Sequence, residues 1–309
     1  MIMLGSLLLA VLILAAVLYT PDKARAKLEA KYHVGPADYR DVVGVRLRLL
    51  DSGPRDAPVV ILLHGFGASL ETWDYWASRL LTAGFRVIRF DLPGFGLTGP
   101  DPTGDYSDQR SLQVLEAVMD QLGVTRASLI GNSLGGKLAW SFAARYPQRV
   151  DRLVLISPDG FASPGFAYGK TPELPWMVRL LPYTLPRMLV RMSLKPAYGD
   201  PSRLSKATVT RYRDMMLAPG VRAAMIARMG QVMLVDPLPE LRTIEAPTLI
   251  LWGEKDGMIP VSNAADYLRA MPNAEVMEFP RLGHVPFEEA PGVTLPVTRQ
   301  FLKGEAPRK

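Results

Sequence analysis

The 309-residue chain contains no cysteine, which excludes disulfide staples, thiolate metal sites and a cysteine nucleophile. Histidine is nearly as scarce. Only His33, His64 and His284 occur, and none has partners at the spacing of a zinc or di-iron site, so no metal is expected. Neither a P-loop nor a dinucleotide G-x-G-x-x-G is read after a strand, so no cofactor is expected. Basic residues are in excess, but only locally: eleven Lys and Arg face four Asp and Glu between Phe161 and Asp236, which leaves 25 basic and 26 acidic residues elsewhere. The net charge of +6 therefore belongs to one segment. Without a basic groove interleaved with aromatics, no nucleic-acid partner is expected. What remains, 48% hydrophobic and 21% charged, is the composition of an ordinary α/β protein.

The most informative stretch is Leu129-Ile130-Gly131-Asn132-Ser133-Leu134-Gly135-Gly136. It has the G-x-S-x-G form of a nucleophile elbow, where a strand turns straight into a helix and leaves the serine at the tip. The positions two before and two after must then be small. Gly131 and Gly135 meet that need. Residues 125–130 read as a buried strand, and 137–145 as a helix with Leu138, Trp140, Phe142 and Ala144 at helical spacing. A plain glycine-serine turn fits the pattern too, so the partners of Ser133 decide.

Residues 2–19 are uncharged and rich in Leu, Ile, Val and Ala; as a helix they span about 27 Å, near the hydrocarbon thickness of a bilayer. They predict a transmembrane anchor, 1–20, rather than a cleavable signal peptide, because the run exceeds the usual signal core and no basic residue precedes it. Lys23, Arg25, Lys27 and Lys31 follow, which by the positive-inside rule puts the rest on the cytoplasmic side. A polar linker, 21–41, with an exposed His33, comes next. An alternating strand is read at 42–50, with Val43, Val45, Leu47 and Leu49 on one face. Apolar strands at 58–63, 86–90, 125–130 and 153–156 then alternate with helices that Ser69 and Ser107 can cap. This alternation marks an α/β fold with a mostly parallel sheet covered on both faces; its first part runs over 42–160. At 161–240 no strand is read, and stripes at helical spacing (Leu185, Met188, Leu189, Met192; Met225, Ile226, Met229, Val232, Met233) predict a helical cap. Eight of the fourteen methionines lie there, as filling between helices or as the lining of a site for an apolar chain. Strands resume at 247–252 and 274–279 within a second core part, 241–303, ahead of a polar tail, 304–309.

A serine hydroxyl needs a base within hydrogen-bond reach, and the base needs orienting. Asp256 and His284 each follow a strand, and with Ser133 they give the order Ser, Asp, His. Ser133 is the candidate nucleophile, His284 the base, and Asp256 the carboxylate that holds the imidazole, with Asp159 as the competing acid. The backbone amides of Phe66 and Leu134 are the candidate oxyanion donors. His64 reads as a brace for its loop, and Asp91 as the anchor of the turn before Gly94 and Gly96.

Five segments, His64-Gly-Phe-Gly67, Asp91-Leu-Pro-Gly-Phe-Gly96, Gly131-Asn-Ser-Leu-Gly-Gly136, Trp252-Gly-Glu-Lys-Asp256 and Gly283-His284, together resemble the α/β-hydrolase superfamily across about 42–302. The resemblance implies an α/β-hydrolase fold with its cap inserted after the sixth strand. Ser133 stands where dehalogenases and epoxide hydrolases carry aspartate, which argues against both. The Gly-Asn-Ser-Leu-Gly-Gly stretch is similar to meta-cleavage-product hydrolases, which split carbon–carbon bonds, but that group typically has tryptophan after its histidine where Val285 and Pro286 stand here. With its N-terminal apolar run the chain looks more like membrane-bound monoacylglycerol lipases and bacterial lipases or esterases. The expectation is a membrane-anchored serine hydrolase of carboxylic esters with a small-molecule ester or lipid substrate, its basic cap touching anionic headgroups. The alternatives are a carbon–carbon hydrolase and a non-catalytic binding module; nothing in the sequence bears on oligomeric state.

Overall fold

A computed structural model describes residues 16–162, 167–171 and 173–306. The run read as an anchor lies almost wholly outside them, as do the end of the tail and five residues of the cap. Among the described residues no helix is long and apolar enough to cross a membrane.

Eight strands form one sheet: β1 (Tyr39–Val42), β2 (Val45–Ser52), β3 (Val59–Leu63), β4 (Arg86–Phe90), β5 (Ala127–Asn132), β6 (Val150–Ile156), β7 (Thr248–Gly253) and β8 (Ala274–Phe279). Their order is β1-β2-β4-β3-β5-β6-β7-β8. β1 and β2 pair antiparallel with each other and β2 with β4, and all other neighbours are parallel. The single strand expected at 42–50 is thus a hairpin. Val43 and Gly44 both take positive φ, 44° and 81°, the geometry of a two-residue turn that suits strand twist. Val42 is therefore buried and Val43 exposed, which reverses the face read for Val43.

The continuous apolar runs are explained by burial on both faces. In β3, Ile61 and Leu63 enter one core with the helices Asp108–Gln121 and Leu134–Arg145. Val60 and Leu62 enter the opposite one with Trp73, Trp76 and the closing helix Pro291–Leu302. Ser107 caps its helix as expected, accepting from the Arg110 amide at 3.1 Å. Ser69 does not. Its hydroxyl donates to Glu71 at 2.6 Å ahead of a 3-10 turn, Leu70–Trp73.

Between β6 and β7 the described residues hold helices and no strand, chiefly Arg187–Leu194, Lys206–Met216 and Val221–Gln231. The charge of this cap is spent inward more than expected: Arg222 and Arg228 are buried, Arg211 pairs with Glu288, and Arg213 donates to the Leu185 carbonyl. The stripe Met188, Leu189, Met192 faces outward, whereas Met215 and Met225 are buried.

The segment read as a linker is instead docked. It contains a helix, Arg25–Lys31, and Lys23 and Lys31 both reach the buried Asp214 of the cap at 2.5 Å. Asp22 accepts from Arg222 at 2.6 Å, and Arg25 donates to the Leu97 carbonyl. Burial raises the Asp214 pKa, but the two lysines overcome it and hold the carboxyl below its ordinary value. Three of the four cations counted for membrane sidedness thus have partners within the fold.

Candidate active site

The tip of β5 carries the site. Ser133 takes φ 53° and ψ −119°, a sparsely populated positive-φ conformation that costs a non-glycine residue about 1–3 kcal/mol and persists only where the surroundings impose it. They do so through close backbone contacts. A Cβ on Gly131 would lie 2.1 Å from the Gly135 carbonyl oxygen, and one on Gly135 would lie 2.2 Å from that of Leu63. These are backbone atoms that cannot step aside, so Gly135→Ala is expected to cost more than about 4 kcal/mol of stability in denaturant unfolding.

His284 and Asp256 meet directly. Nδ1 of the imidazole lies 2.8 Å from Asp256 Oδ2, with both side chains almost fully buried. The other carboxylate oxygen accepts the amides of Met258 and Ile259 at 2.8 and 2.9 Å, so the acid is held at both ends. Asp159, the competing acid, makes no hydrogen bond to the imidazole; its amide donates to the Ser133 carbonyl and its own carbonyl accepts from Trp140 and Tyr267. Burial raises its carboxyl pKa. No hydrogen bond joins Ser133 Oγ to the His284 ring. The elbow and the histidine loop are tied through Asn132, whose amide nitrogen donates to the carbonyls of Ile156 and His284, both at 3.0 Å. Asn132 lies within the elbow, but its role is not legible in the sequence because its partner is 152 residues away.

The loop after β3 lies beside the serine. A Cβ on Gly65 would approach Ser133 Cβ to 3.3 Å. Among the described residues the Phe66 amide has no acceptor, and Leu134 opens its helix, where first-turn amides lack an intrahelical partner. His64 braces this loop: Nε2 accepts the Leu92 amide at 2.9 Å, leaving Nδ1 to donate to the Gly65 carbonyl at 2.8 Å. Burial pushes its pKa down to about 4, so the folded state favours the neutral ring. That preference is fully present above about pH 6.5 and is lost as pH falls toward 4. Between pH 7 and pH 5 wild type is expected to lose about 2 kcal/mol more unfolding free energy than His64→Asn. Equal losses would remove the bracing role.

Asp91 fixes its turn as read: its oxygens accept the amides of Leu70 and Leu97 at 2.8 and 2.7 Å. Contrary to the expectation that no G-x-G-x-x-G follows a strand, Gly94, Gly96 and Gly99 have that spacing after β4, but all three have positive φ and the turn closes on Asp91 rather than opening a helix. A Cβ on Gly96 would lie 2.3 Å from that carboxylate.

Two further contacts were not legible in the sequence. Met216 and Met225 overhang the loop, their Cε atoms 3.1 and 3.5 Å from where a Cβ on Gly67 would stand. Glu289 accepts the amides of Gly283, Gly199 and Asp200 at 2.8, 3.0 and 2.8 Å, sealing the loop before His284 to the cap. Beside it Gly257 donates to the Pro196 carbonyl, and Val285 to that of Ala197. No periodicity marks these pairs.

Comparison with known proteins agrees with this architecture. Residues 58–291 match the alpha/beta hydrolase fold family, and the chain belongs to it. It is 29% identical over 246 residues, 77% of this chain and 85% of the relative, to 2-hydroxy-6-oxo-6-phenylhexa-2,4-dienoate hydrolase of Burkholderia cepacia. The meta-cleavage product hydrolase of Pseudomonas fluorescens IP01 superposes with a TM-score of 0.74 at 26% identity, covering 86% of this chain and 97% of that one. A bacterial membrane phospholipase A superposes with a TM-score of 0.72 at 28% identity and covers 98% of both chains.

Proposed function

We propose that this protein is a membrane-anchored serine hydrolase that cleaves carboxylic esters of lipid-like substrates, monoacylglycerols among them. The reading rests on one observation above the rest, the buried His284–Asp256 pair behind a serine at positive φ. In this scheme Ser133 Oγ attacks the ester carbonyl while His284 Nε2 takes its proton. Asp256 keeps the remaining proton on Nδ1 and stabilises the imidazolium. The tetrahedral oxyanion is received by the Phe66 and Leu134 amides. Collapse expels the alcohol, which takes the proton from His284. Water then attacks the acyl-enzyme by the same route, releasing the acid and restoring the serine. No metal or cofactor takes part.

The lipid and membrane parts draw on the similarity to the membrane phospholipase A. That likeness covers 98% of this chain, whereas the likeness to the meta-cleavage product hydrolase covers 86%. A second reading, carbon–carbon bond hydrolysis, is favoured by the name of the Burkholderia relative. Val285 stands against it, at the position where that group carries tryptophan. The test is turnover by the detergent-solubilised full chain of p-nitrophenyl esters and monoacylglycerols beside a dienoate ring-fission product. Ester kcat/KM is expected to lead by at least about 100-fold, or roughly 2.7 kcal/mol of transition-state stabilisation. The reverse ranking would establish the second reading.

A further inference from the structure

Most of the apolar side chains that this cap leaves in water lie in one stretch of chain. Trp176, Met177, Tyr183, Met188, Leu189 and Met192 are all exposed, Trp176 by 71% and Met188 by 69%. On the helix Arg187–Leu194, Met188, Leu189 and Met192 are spaced three and four apart and so share a face, while Val190 turns inward. An exposed apolar stretch of this length is uncommon on a monomer and marks a surface that something covers.

Its composition says what. Tryptophan and tyrosine with methionine and leucine, edged by cations, are what the boundary between headgroups and acyl chains accepts. Between Glu173 and Asp200 there is no acidic residue, but Arg179, Arg187, Arg191 and Lys195 occur. Arg187 and Arg191 reach backbone carbonyls, whereas Arg179 and Lys195 are exposed with no ion pair among the described residues. The N-terminal apolar run ends at this place. The Thr20 amide donates to the Tyr183 carbonyl at 2.8 Å, and the Leu185 amide donates to Thr20 Oγ1 at 3.2 Å. Val17, Leu18 and Tyr19 are exposed beside that junction. The docked segment behind it, with Lys23 and Lys31 on Asp214 and Asp22 on Arg222, holds the end of the run against the cap.

We infer that the stretch from Trp176 to Lys195 lies on the bilayer surface, with its apolar side chains in the acyl boundary and Arg179 and Lys195 at anionic headgroups. This rests on the membrane part of the proposed function, and it adds a second, interfacial contact to the anchor. It also sets the cap, and the site beneath it, against the layer that would hold a lipid substrate.

The chain supplies its own probe. Trp73, Trp76, Trp140 and Trp252 are buried and only Trp176 is exposed, so quenching of the full chain in vesicles of acyl-brominated phosphatidylglycerol reports on Trp176. The expected result is loss of an emission component that Trp176→Phe lacks. The same loss should be absent in the triple variant Met188→Ser, Leu189→Ser, Met192→Ser, whose turnover of a water-soluble ester stays at the wild-type level and shows that it folds. Co-flotation with vesicles without quenching overturns the docking while leaving the anchor intact. Failure to co-float overturns both membrane statements but not ester hydrolysis, which the soluble substrate reads separately. Quenching unchanged when brominated phosphatidylcholine replaces phosphatidylglycerol overturns the role of the two cations. In a chain without cysteine, Met188→Cys offers a single thiol. Disulfide-linked dimers together with absent quenching would mean that a second copy covers this face, which also overturns the proposal.

Discussion

Ser133→Ala is expected to lower ester turnover about a million-fold and to abolish labelling by a fluorophosphonate. The hydroxyl is the only group that the proposed chemistry makes covalent, so nothing else in the site replaces it. The variant should keep its fold, because alanine meets the same strain at φ 53° as serine does and adds no atom to the crowded turn. Its unfolding midpoint therefore serves as the control. A residual rate about 10³- to 10⁴-fold above water is expected to survive, since the Phe66 and Leu134 amides still receive an oxyanion. Retention of wild-type turnover would leave the architecture standing without its chemistry.

The second large effect separates the two acids. Asp256→Asn is expected to lower kcat by about 10⁴. Asparagine keeps an oxygen for the amides of Met258 and Ile259, so the loop holds its shape. It presents an amide where the imidazole needs an acceptor on Nδ1, and the ring is then held in the wrong tautomer. Asp159→Asn, by contrast, is expected to leave kcat within an order of magnitude, because its ties to Ser133, Trp140 and Tyr267 run through the backbone. Single-turnover kinetics on the two variants distinguish them. A larger loss at Asp159 would exchange the roles of the two acids.

These residues were readable in the chain because their constraints are local. The elbow has to be Gly-x-Ser-x-Gly wherever a strand turns at once into a helix, and the contacts at Gly131 and Gly135 are made to backbone a few residues away or on the adjoining strand. The strands were readable because burial on two faces leaves them mostly apolar, with polar residues such as Arg86, Asp151 and Thr248 confined near their ends. The choice between Asp159 and Asp256 rests on which strand leads into which turn, and in the structure it is Asp256 that lies 2.8 Å from the imidazole. The hairpin at Val43 escaped notice because alternation continues across a two-residue turn, so hydropathy alone does not register the reversal. The docking of Lys23 and Lys31 on Asp214 escaped for another reason. It joins residues 191 and 183 positions apart, and a lysine bound for a buried carboxylate looks in sequence like one bound for water. The outward turn of Met188 and Met192 was hidden likewise, since helical spacing says that a face is apolar but not what it meets.

The seam at Glu289 bears on how a substrate arrives. Three backbone amides converge on that carboxylate, and a Cβ on Gly283 would lie 2.5 Å from the Ala197 carbonyl oxygen, so the roof of the site is riveted to its floor on the histidine flank. A lid that swings up as one body would have to break those bonds and tear at the loop that carries the imidazole. Met216 and Met225 instead present flexible thioethers to the loop after β3, so under the proposed function an acyl chain would be accommodated by displacing side chains rather than by lifting that flank of the cap.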